Sequence, residues 1–329
     1  MRSSLSPHPS RPPVPQRPSR PQLVPPQRPR YSALALWHLL SLDAPTVAAL
    51  WTVFIARCSN LALSWTEPAA MFLAVWMIYA ADRLLDARLL DDRLSSSGLE
   101  VRHRFHHRHR TAFISCILLS SAALAALLHR TDPRSLHLYV LLATLLAAWM
   151  LLIHIRPQPD SATRRLPKEL AVGIFFPAAV FIPTLARTNP TPAAHQVLGA
   201  AADWIRPTLL PSAILFAAVC TLNCLCVYAW EHPSSRQQTP ASLQNPQTHW
   251  TTRWATTHLT TLALIILAAS TIASISRTLA VALPALACSL STAALFALNH
   301  CRRSLSPLHL RAAADLVLLT PILFLPFLR

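Results

Sequence analysis

Two aspartates, Asp82 and Asp86, close a long hydrophobic stretch and are the side chains best placed for chemistry. Asp and Glu together number only 13 of 329 residues, so acids beside an apolar segment stand out. A charge at the centre of a membrane helix costs about 2.5–3.5 kcal/mol, and such residues usually have a partner or a function. A spacing of four puts both carboxylates on one helical face, with Tyr79 one turn earlier. That face can meet a divalent cation, a basic partner or interfacial water.

A third acid, Glu231, closes another hydrophobic segment. Asn223, Val227 and Glu231 recur at a spacing of four, so they share one helical face. Glu231 is the residue of this face that can supply an anionic ligand.

The positions of these acids depend on the helices that carry them. Hydrophobic residues make up 53% of the chain and charged residues 13%, against about 25% charged in soluble domains. Lipid cannot form hydrogen bonds with backbone N–H and C=O groups, so these groups must bond one another within the segment. Each apolar segment is therefore predicted to be a helix. The sequence therefore predicts an all-α polytopic membrane protein with about nine transmembrane helices, at about 44–62, 68–88, 111–129, 136–154, 169–187, 209–230, 257–276, 278–297 and 312–328.

The basic residues predict the orientation of these helices. A net charge of +16 could indicate nucleic-acid binding, but the arginines lie between apolar segments, which favours anionic lipid headgroups and excludes a nucleic-acid partner. With a cytoplasmic N-terminus, 21 of the 29 basic residues fall on the inner side and seven on the outer side. We therefore expect a multi-pass protein of the bacterial inner membrane, with Asp82, Asp86 and Glu231 on the cytoplasmic side.

The remaining segments divide the chain into a tail and a membrane domain. Residues 1–30 are rich in Pro and Arg and predict a disordered cytoplasmic tail. Residues 31–329 form the transmembrane domain, with cytoplasmic cap loops at 89–110 and 231–256. The His/Arg run at 102–110 contains an HxxHH pattern, but di-iron desaturases use about three such boxes and the other histidines are isolated. We interpret the run as a cap helix; a merely positive loop is the alternative.

The order of acids resembles the UbiA superfamily of intramembrane prenyltransferases. The run Asp82-Arg83-Leu84-Leu85-Asp86 is similar to the end of that family's first acidic motif, whose opening Asn-Asp falls here on Ile78 and Tyr79. Glu231 lies where the family's second acidic motif ends the sixth helix. Asp43-Ala44-Pro45 resembles the Asp-x-Pro that precedes the family's first helix. The resemblance covers the layout of the first six helices.

The resemblance implies both an architecture and a reaction. The architecture is a ring of about nine helices around a central cavity that is capped by the loops after helices two and six. The reaction is the Mg²⁺-dependent transfer of a polyprenyl group from its diphosphate to a lipophilic acceptor, aromatic acceptors included. Asp82, Asp86 and Glu231 would be the catalytic and metal-binding residues. The implied substrate-binding residues are Tyr79, Arg83, Asn223, Arg164, Arg165 and Lys168.

The same residues also allow less specific interpretations than a prenyltransferase. The chain could be a non-catalytic protein of the same fold, a transporter or a lipid-binding protein. Its acids could form only interfacial salt bridges, such as Asp86 with Arg83. Asp43 is predicted to cap a helix that has Pro45 in its first turn. Asp315 is interpreted as a charge at the N-terminus of the last helix, with a cavity acid as the alternative.

Overall fold

The structure is a computed structural model that describes residues 31–90, 99–155, 168–188, 208–231 and 250–328. Within these ranges the chain forms helices and no strands, and residues from Ser32 onward make one compact unit. The helices are α1 Ala33–Leu39, α2 Asp43–Cys58, α3 Thr66–Leu90, α4 Leu99–Arg108, α5 Arg110–Leu128, α6 Pro133–Ile155, α7 Lys168–Arg187, α8 Leu210–Glu231, α9 Trp250–Thr257, α10 Leu259–Ala273, α11 Leu279–Cys301 and α12 Pro307–Leu316.

The outer surface of the bundle is apolar, as a lipid environment requires. In the described ranges, six helices are long and apolar enough to cross a bilayer, and eight if each of two bent pairs counts as one span. Only 6% of the α5 segment is buried, and Leu118 and Leu119 are 66% and 72% exposed. The chain is therefore a multi-pass integral membrane protein. Each of the nine predicted segments overlaps a helix, but length and composition support six to eight spans.

The last predicted span is a helix that changes form. It begins at Pro307 as α12, and from Val317 to Leu323 it continues as a 3₁₀-helix. In a 3₁₀-helix each N–H bonds the carbonyl three residues earlier, and Pro321 has no N–H for the carbonyl of Leu318. The indole of Trp51 on α2 donates to that carbonyl at 2.8 Å. The hydroxyl of Ser291 on α11 donates to the neighbouring Val317 carbonyl at 2.9 Å, which attaches the C-terminal segment to α11.

A sharp elbow joins α1 and α2, whose axes differ by 89°. Ser41 lies at this elbow with a φ of 60°, in the left-handed region that costs a non-glycine residue about 1–2 kcal/mol. The indole of Trp76 on α3 donates to the Leu40 carbonyl at 3.1 Å. The elbow is therefore stabilised from outside, by contacts with α3.

The core lies where α2 meets α8 and the C-terminal segment. Trp51 is fully buried, stacks on Phe216 with ring centroids 4.0 Å apart, and donates to the Leu318 carbonyl at 2.8 Å. Helix α7 approaches α8 so closely that a Cβ on Gly173 would lie 1.9 Å from Oγ1 of Thr221. This close packing fixes the position of α8, which carries Asn223 and Glu231.

Several sequence-based predictions lie outside the described residues. These are the tail 1–30, Arg164, Arg165 and the cap-loop residues 91–98 and 232–249.

Candidate functional site

A group of polar side chains surrounds the elbow, and all of them are buried except Asp315, which is half-buried. We call it the elbow cluster, and it consists of His38, Asp43, Arg83, Asn223 and Asp315.

Asp43 is the centre of the elbow cluster and is fully buried. It is the first residue of α2, not its cap as predicted, because the residue before the helix is Leu42. Its Oδ1 accepts a hydrogen bond from the Ala44 N–H at 3.0 Å, and its Oδ2 contacts Nδ1 of His38. A carboxylate here also benefits from the positive end of the α2 dipole.

Arg83 connects α3 to the elbow by hydrogen bonds. Its Nη1 donates to the His38 carbonyl at 2.5 Å and to the Ser41 hydroxyl at 3.0 Å, and its Nη2 lies 3.3 Å from Oδ2 of Asp43. The guanidinium also lies 5.9 Å from the ring centroid of Tyr79. The sequence predicts that Arg83 faces phosphate, but here it is 5% exposed and bound to the elbow. Its observed contacts make it a residue that positions Asp43.

Asp315 joins the elbow cluster from the C-terminal helix. It lies in the last turn of α12, so its interpretation as an N-terminal helix charge is wrong. Nδ2 of Asn223 donates to Oδ1 of Asp315 at 3.1 Å. Ligand atoms of His38, Asp43 and Asp315 all lie within 4.8 Å of one another. The alternative interpretation, a cavity acid, stays a prediction.

Glu231 forms an ion pair with Arg311, in which Nη1 donates to Oε1. Arg311 and Asp315 are four residues apart on α12, so they lie one turn apart on the same helix. Polar and charged side chains therefore run from Glu231 at the end of α8, through α12, to Asp43 and Arg83. This row links the two segments in which the sequence predicts acidic ligands.

The other predicted site residues that the structure describes lie on α3 and α7. Asp82 lies on α3, half-buried. The backbone of Asp86 continues α3, and Lys168 is the first residue of α7, but both side chains lie outside the described part of the structure. Tyr79 packs against the core at its edge.

The His/Arg run is helical as predicted, in α4, Leu99–Arg108, and its role as a cap stays a prediction. His106 is fully buried, its ring centroid lies 4.5 Å from that of Phe113, and its Nε2 lies 3.3 Å from Oγ of Ser41. His109 is exposed and bonds the Phe105 carbonyl of its own segment. His106 on α4 therefore supports the elbow, whereas His109, which follows the end of α4, does not share that environment.

Among the described side chains, one group has three potential metal-ligand atoms that lie within 4.8 Å of one another. This group consists of His38, Asp43 and Asp315. This group is not the predicted magnesium site of Asp82, Asp86 and Glu231. The carboxylate of Glu231 already binds Arg311. The backbone of α3 is continuous through Leu90, so Asp82 and Asp86 keep the spacing of four that suits one shared cation.

Comparisons with known proteins gave no match: no family model, curated protein or solved structure is detectably similar to this chain.

Sequence reasoning missed His38, Ser41 and Arg311. The sequence did contain one signal for Arg311. Arg311 and Asp315 lie four residues apart on the last hydrophobic segment, which is the same spacing as that of Asp82 and Asp86. His38 gave no such signal, since its contacts with Asp43 and Arg83 depend on the bend of the elbow.

Proposed function

We propose that this chain is a UbiA-like prenyltransferase, which transfers a polyprenyl group from its diphosphate to a lipophilic acceptor. The proposal rests on the continuous row of acidic and basic side chains that connects α8, α12, α2 and α3 at one end of an apolar bundle. A prenyl diphosphate has the matching form, since its tail is apolar and its head carries several negative charges. Apolar side chains of the bundle can contact the tail, and the charged side chains can contact the head.

The chemistry assigned to the chain is largely electrostatic. Mg²⁺ held by Asp82 and Asp86 would offset the charge of the diphosphate and stabilise the pyrophosphate as it leaves. Arg311, whose side chain is 28% exposed, can exchange its bond with Glu231 for one with a phosphate oxygen. Arg83 holds the elbow in place. The reaction would require apolar side chains of the bundle to exclude water from the allylic carbon.

A specific contact favours the second candidate, a non-catalytic membrane protein such as a transporter or lipid-binding protein. The ion pair between Glu231 and Arg311 satisfies one of the three acids that the enzyme hypothesis assigns to the metal. A transporter would use the same polar row to pass a charged solute, and its flux would follow a gradient.

The two candidates differ in their dependence on magnesium. Purified protein in detergent is titrated with geranyl diphosphate in Mg²⁺ and again in EDTA, and prenyl transfer is assayed with lipophilic phenolic acceptors. The enzyme hypothesis predicts binding and transfer in Mg²⁺ only, and loss of both in the double variant Asp82→Asn, Asp86→Asn.

Binding that is equal in EDTA, or a double variant that still binds and transfers, would contradict the enzyme hypothesis. Solute flux in liposomes without prenyl transfer would support the transporter instead.

A further inference from the structure

The carboxyl groups of Asp43 and Asp315 meet where α12 packs on the elbow. Asp43 is the first residue of α2, Asp315 lies in the last turn of α12, and a hydrogen bond joins the two side chains. Carboxyl oxygens of the pair lie within 4.8 Å of each other. The oxygens of an ionised carboxylate only accept, so two carboxylates cannot bond each other without a proton. The contact therefore requires one proton.

The other hydrogen bonds of the pair indicate which carboxyl group carries this proton. Asp43 accepts a backbone N–H at the start of α2 at 3.0 Å, and its Oδ2 lies 3.3 Å from Nη2 of Arg83. Nε2 of His38 has no hydrogen-bond partner, so the hydrogen of the neutral ring belongs on Nδ1, which faces Asp43. Asp315 accepts the amide hydrogen of Asn223. Because three donors stabilise the anionic form of Asp43, the proton belongs on Asp315.

Asn223 provides a separate sign that this place lacks a hydrogen. Its side chain is 7% exposed, and its Oδ1 is a buried acceptor without a partner in the described part of the chain. Nδ2 of the same carboxamide donates to Oδ1 of Asp315, so the unpartnered oxygen belongs to the group that contacts the acid. Buried acceptors are almost always bonded. A hydroxyl on Asp315 adds a donor where acceptors are in excess.

The charges around the pair favour retention of the proton. The titratable and charged groups that face the pair, from α1, α2, α3, α8 and α12, are His38, Asp43, Tyr79, Arg83, Cys220, Cys224 and Arg311. Arg311 binds Glu231, so Arg83 is left to balance the charge of Asp43. Loss of the proton would add a second negative charge in a place with little water, which is costly.

The pair also has a path for proton exchange and a mechanical role. Asp43 is fully buried, whereas Asp315 is half-buried, so a proton can enter and leave on the side of Asp315. Another polar contact between α12 and the first helix is exposed, the bond of 2.9 Å between Ser32 and His309. The protonated pair is thus a buried polar link between α12 and the elbow. Two ionised carboxylates in its place would repel each other.

We propose that Asp43 and Asp315 bind one proton between them and that release of this proton weakens the attachment of α12 to the elbow. In the release step the O–H bond of Asp315 breaks, water takes the proton, and the electron pair stays on the carboxylate. Neither Mg²⁺ nor a diphosphate takes part, so the site is independent of the function proposed above.

Infrared spectroscopy of the full chain in detergent tests the bound proton. A carboxylic acid has a carbonyl-stretch band that a carboxylate lacks, and carbon-13 at the aspartate carboxyl shifts that band. An ordinary aspartic acid loses its proton near about pH 4, so a band at neutral pH marks a retained proton. We expect this band in the wild type and in Glu67→Gln, its loss in Asp315→Asn, and its decrease as the pH rises toward about 9.

Unfolding and hydrogen exchange test the attachment of α12. The folded chain holds a proton that the unfolded chain releases above about pH 4, so stability falls as the pH rises. Relative to Asp315→Asn, whose amide donates at every pH, the unfolding equilibrium constant of the wild type should rise up to about tenfold per pH unit until the proton leaves. His38 is present in both chains, so its titration cancels. At equal alkaline pH, backbone amides of α12 should exchange faster in the wild type than in Asp315→Asn.

Asp315→Glu keeps the proposal testable if Asp315→Asn does not fold. It retains a carboxyl group, but a glutamate band is insensitive to labelled aspartate, so the isotope shift should vanish. A wild type without the band at neutral pH, a band that labelled aspartate does not shift, or a shift that persists in either variant would overturn the proposal. Equal pH dependence of unfolding in wild type and Asp315→Asn, or equal exchange of α12, would also overturn it. The function proposed above fails on a different result, namely binding of prenyl diphosphate that ignores Mg²⁺.

Discussion

The two ends of α3 carry two ionic arrangements that differ in how completely they are satisfied. Near its start, Glu67 is 3% exposed and accepts two contacts from Nη1 of Arg187, at 2.5 and 2.7 Å. Sixteen residues later, about 24 Å along the helix, Arg83 enters the elbow cluster. The first arrangement, which we call the α3–α7 ion pair, has one acid and one base. The second has two acids, one base and two unpartnered atoms.

The difference distinguishes structural chemistry from functional chemistry. The α3–α7 ion pair joins two long helices, and each member satisfies the other. The elbow cluster gathers side chains from five helices and leaves acceptor atoms of His38 and Asn223 without partners. We propose that the Glu67 end of the bundle serves packing and that the Asp43 end, where acids and bases of five helices meet, serves binding.

The largest effect is expected from Arg83→Met. This substitution removes the donors to the His38 carbonyl and the Ser41 hydroxyl and leaves the buried Asp43 without its positive partner. Removing one member of a buried charge pair costs about 3–5 kcal/mol, so the thermal unfolding temperature in detergent should fall strongly. Arg83→Lys should recover only part of the loss, because lysine lacks the fork that makes three contacts. A wild-type unfolding temperature for Arg83→Met would show that the elbow does not depend on Arg83.

A moderate effect is expected from Glu67→Gln at the opposite end. The amide keeps the shape of the side chain but loses the charge-assisted bonds to Arg187, which are worth about 1.5–3 kcal/mol. Arg187 is 29% exposed and can turn toward water, which limits the loss. Thermal unfolding should show this decrease, while ligand binding at the Asp43 end stays at the wild-type level. Impaired binding in Glu67→Gln would contradict the division of roles.

The smallest effect on stability is expected from Asp315→Asn. This substitution removes one of two neighbouring carboxyl groups and keeps an oxygen that can accept the bond from Asn223. In EDTA, the unfolding free energy should stay within about 1 kcal/mol of wild type, because asparagine keeps an acceptor for Asn223 and a donor that can bond Asp43. An acid that merely stabilised the fold would behave like Glu67, so a large decrease in EDTA would contradict the assignment of Asp315 to a binding site.

The sequence predicted the helices well because hydropathy is a local signal. All nine apolar segments overlap helices, and helix α4 was expected from the His/Arg run. The last segment continues from Val317 as a 3₁₀-helix, a change of form that hydropathy does not predict.

The candidate site was predictable only in part, because its contacts are distant in sequence. Helical spacing links residues three or four apart, and it correctly grouped Asn223 with Glu231 on α8. The partner of Glu231 lies 80 residues away and that of Asn223 lies 92 residues away, so no periodicity could reveal them. Asp43 was seen only as the start of a helix, since its link to Arg83 requires the 89° bend and the packing of α3.

The most direct test of the division between the two ends is the binding of geranyl diphosphate to matched variants in Mg²⁺. We expect wild type and Glu67→Gln to share one dissociation constant within about threefold. The double variant Asp82→Asn, Asp86→Asn should bind more weakly by at least about 10-fold, or about 1.4 kcal/mol. If instead the double variant bound as the wild type does, or if Glu67→Gln lost binding to the same extent, the diphosphate site would not lie at the Asp43 end.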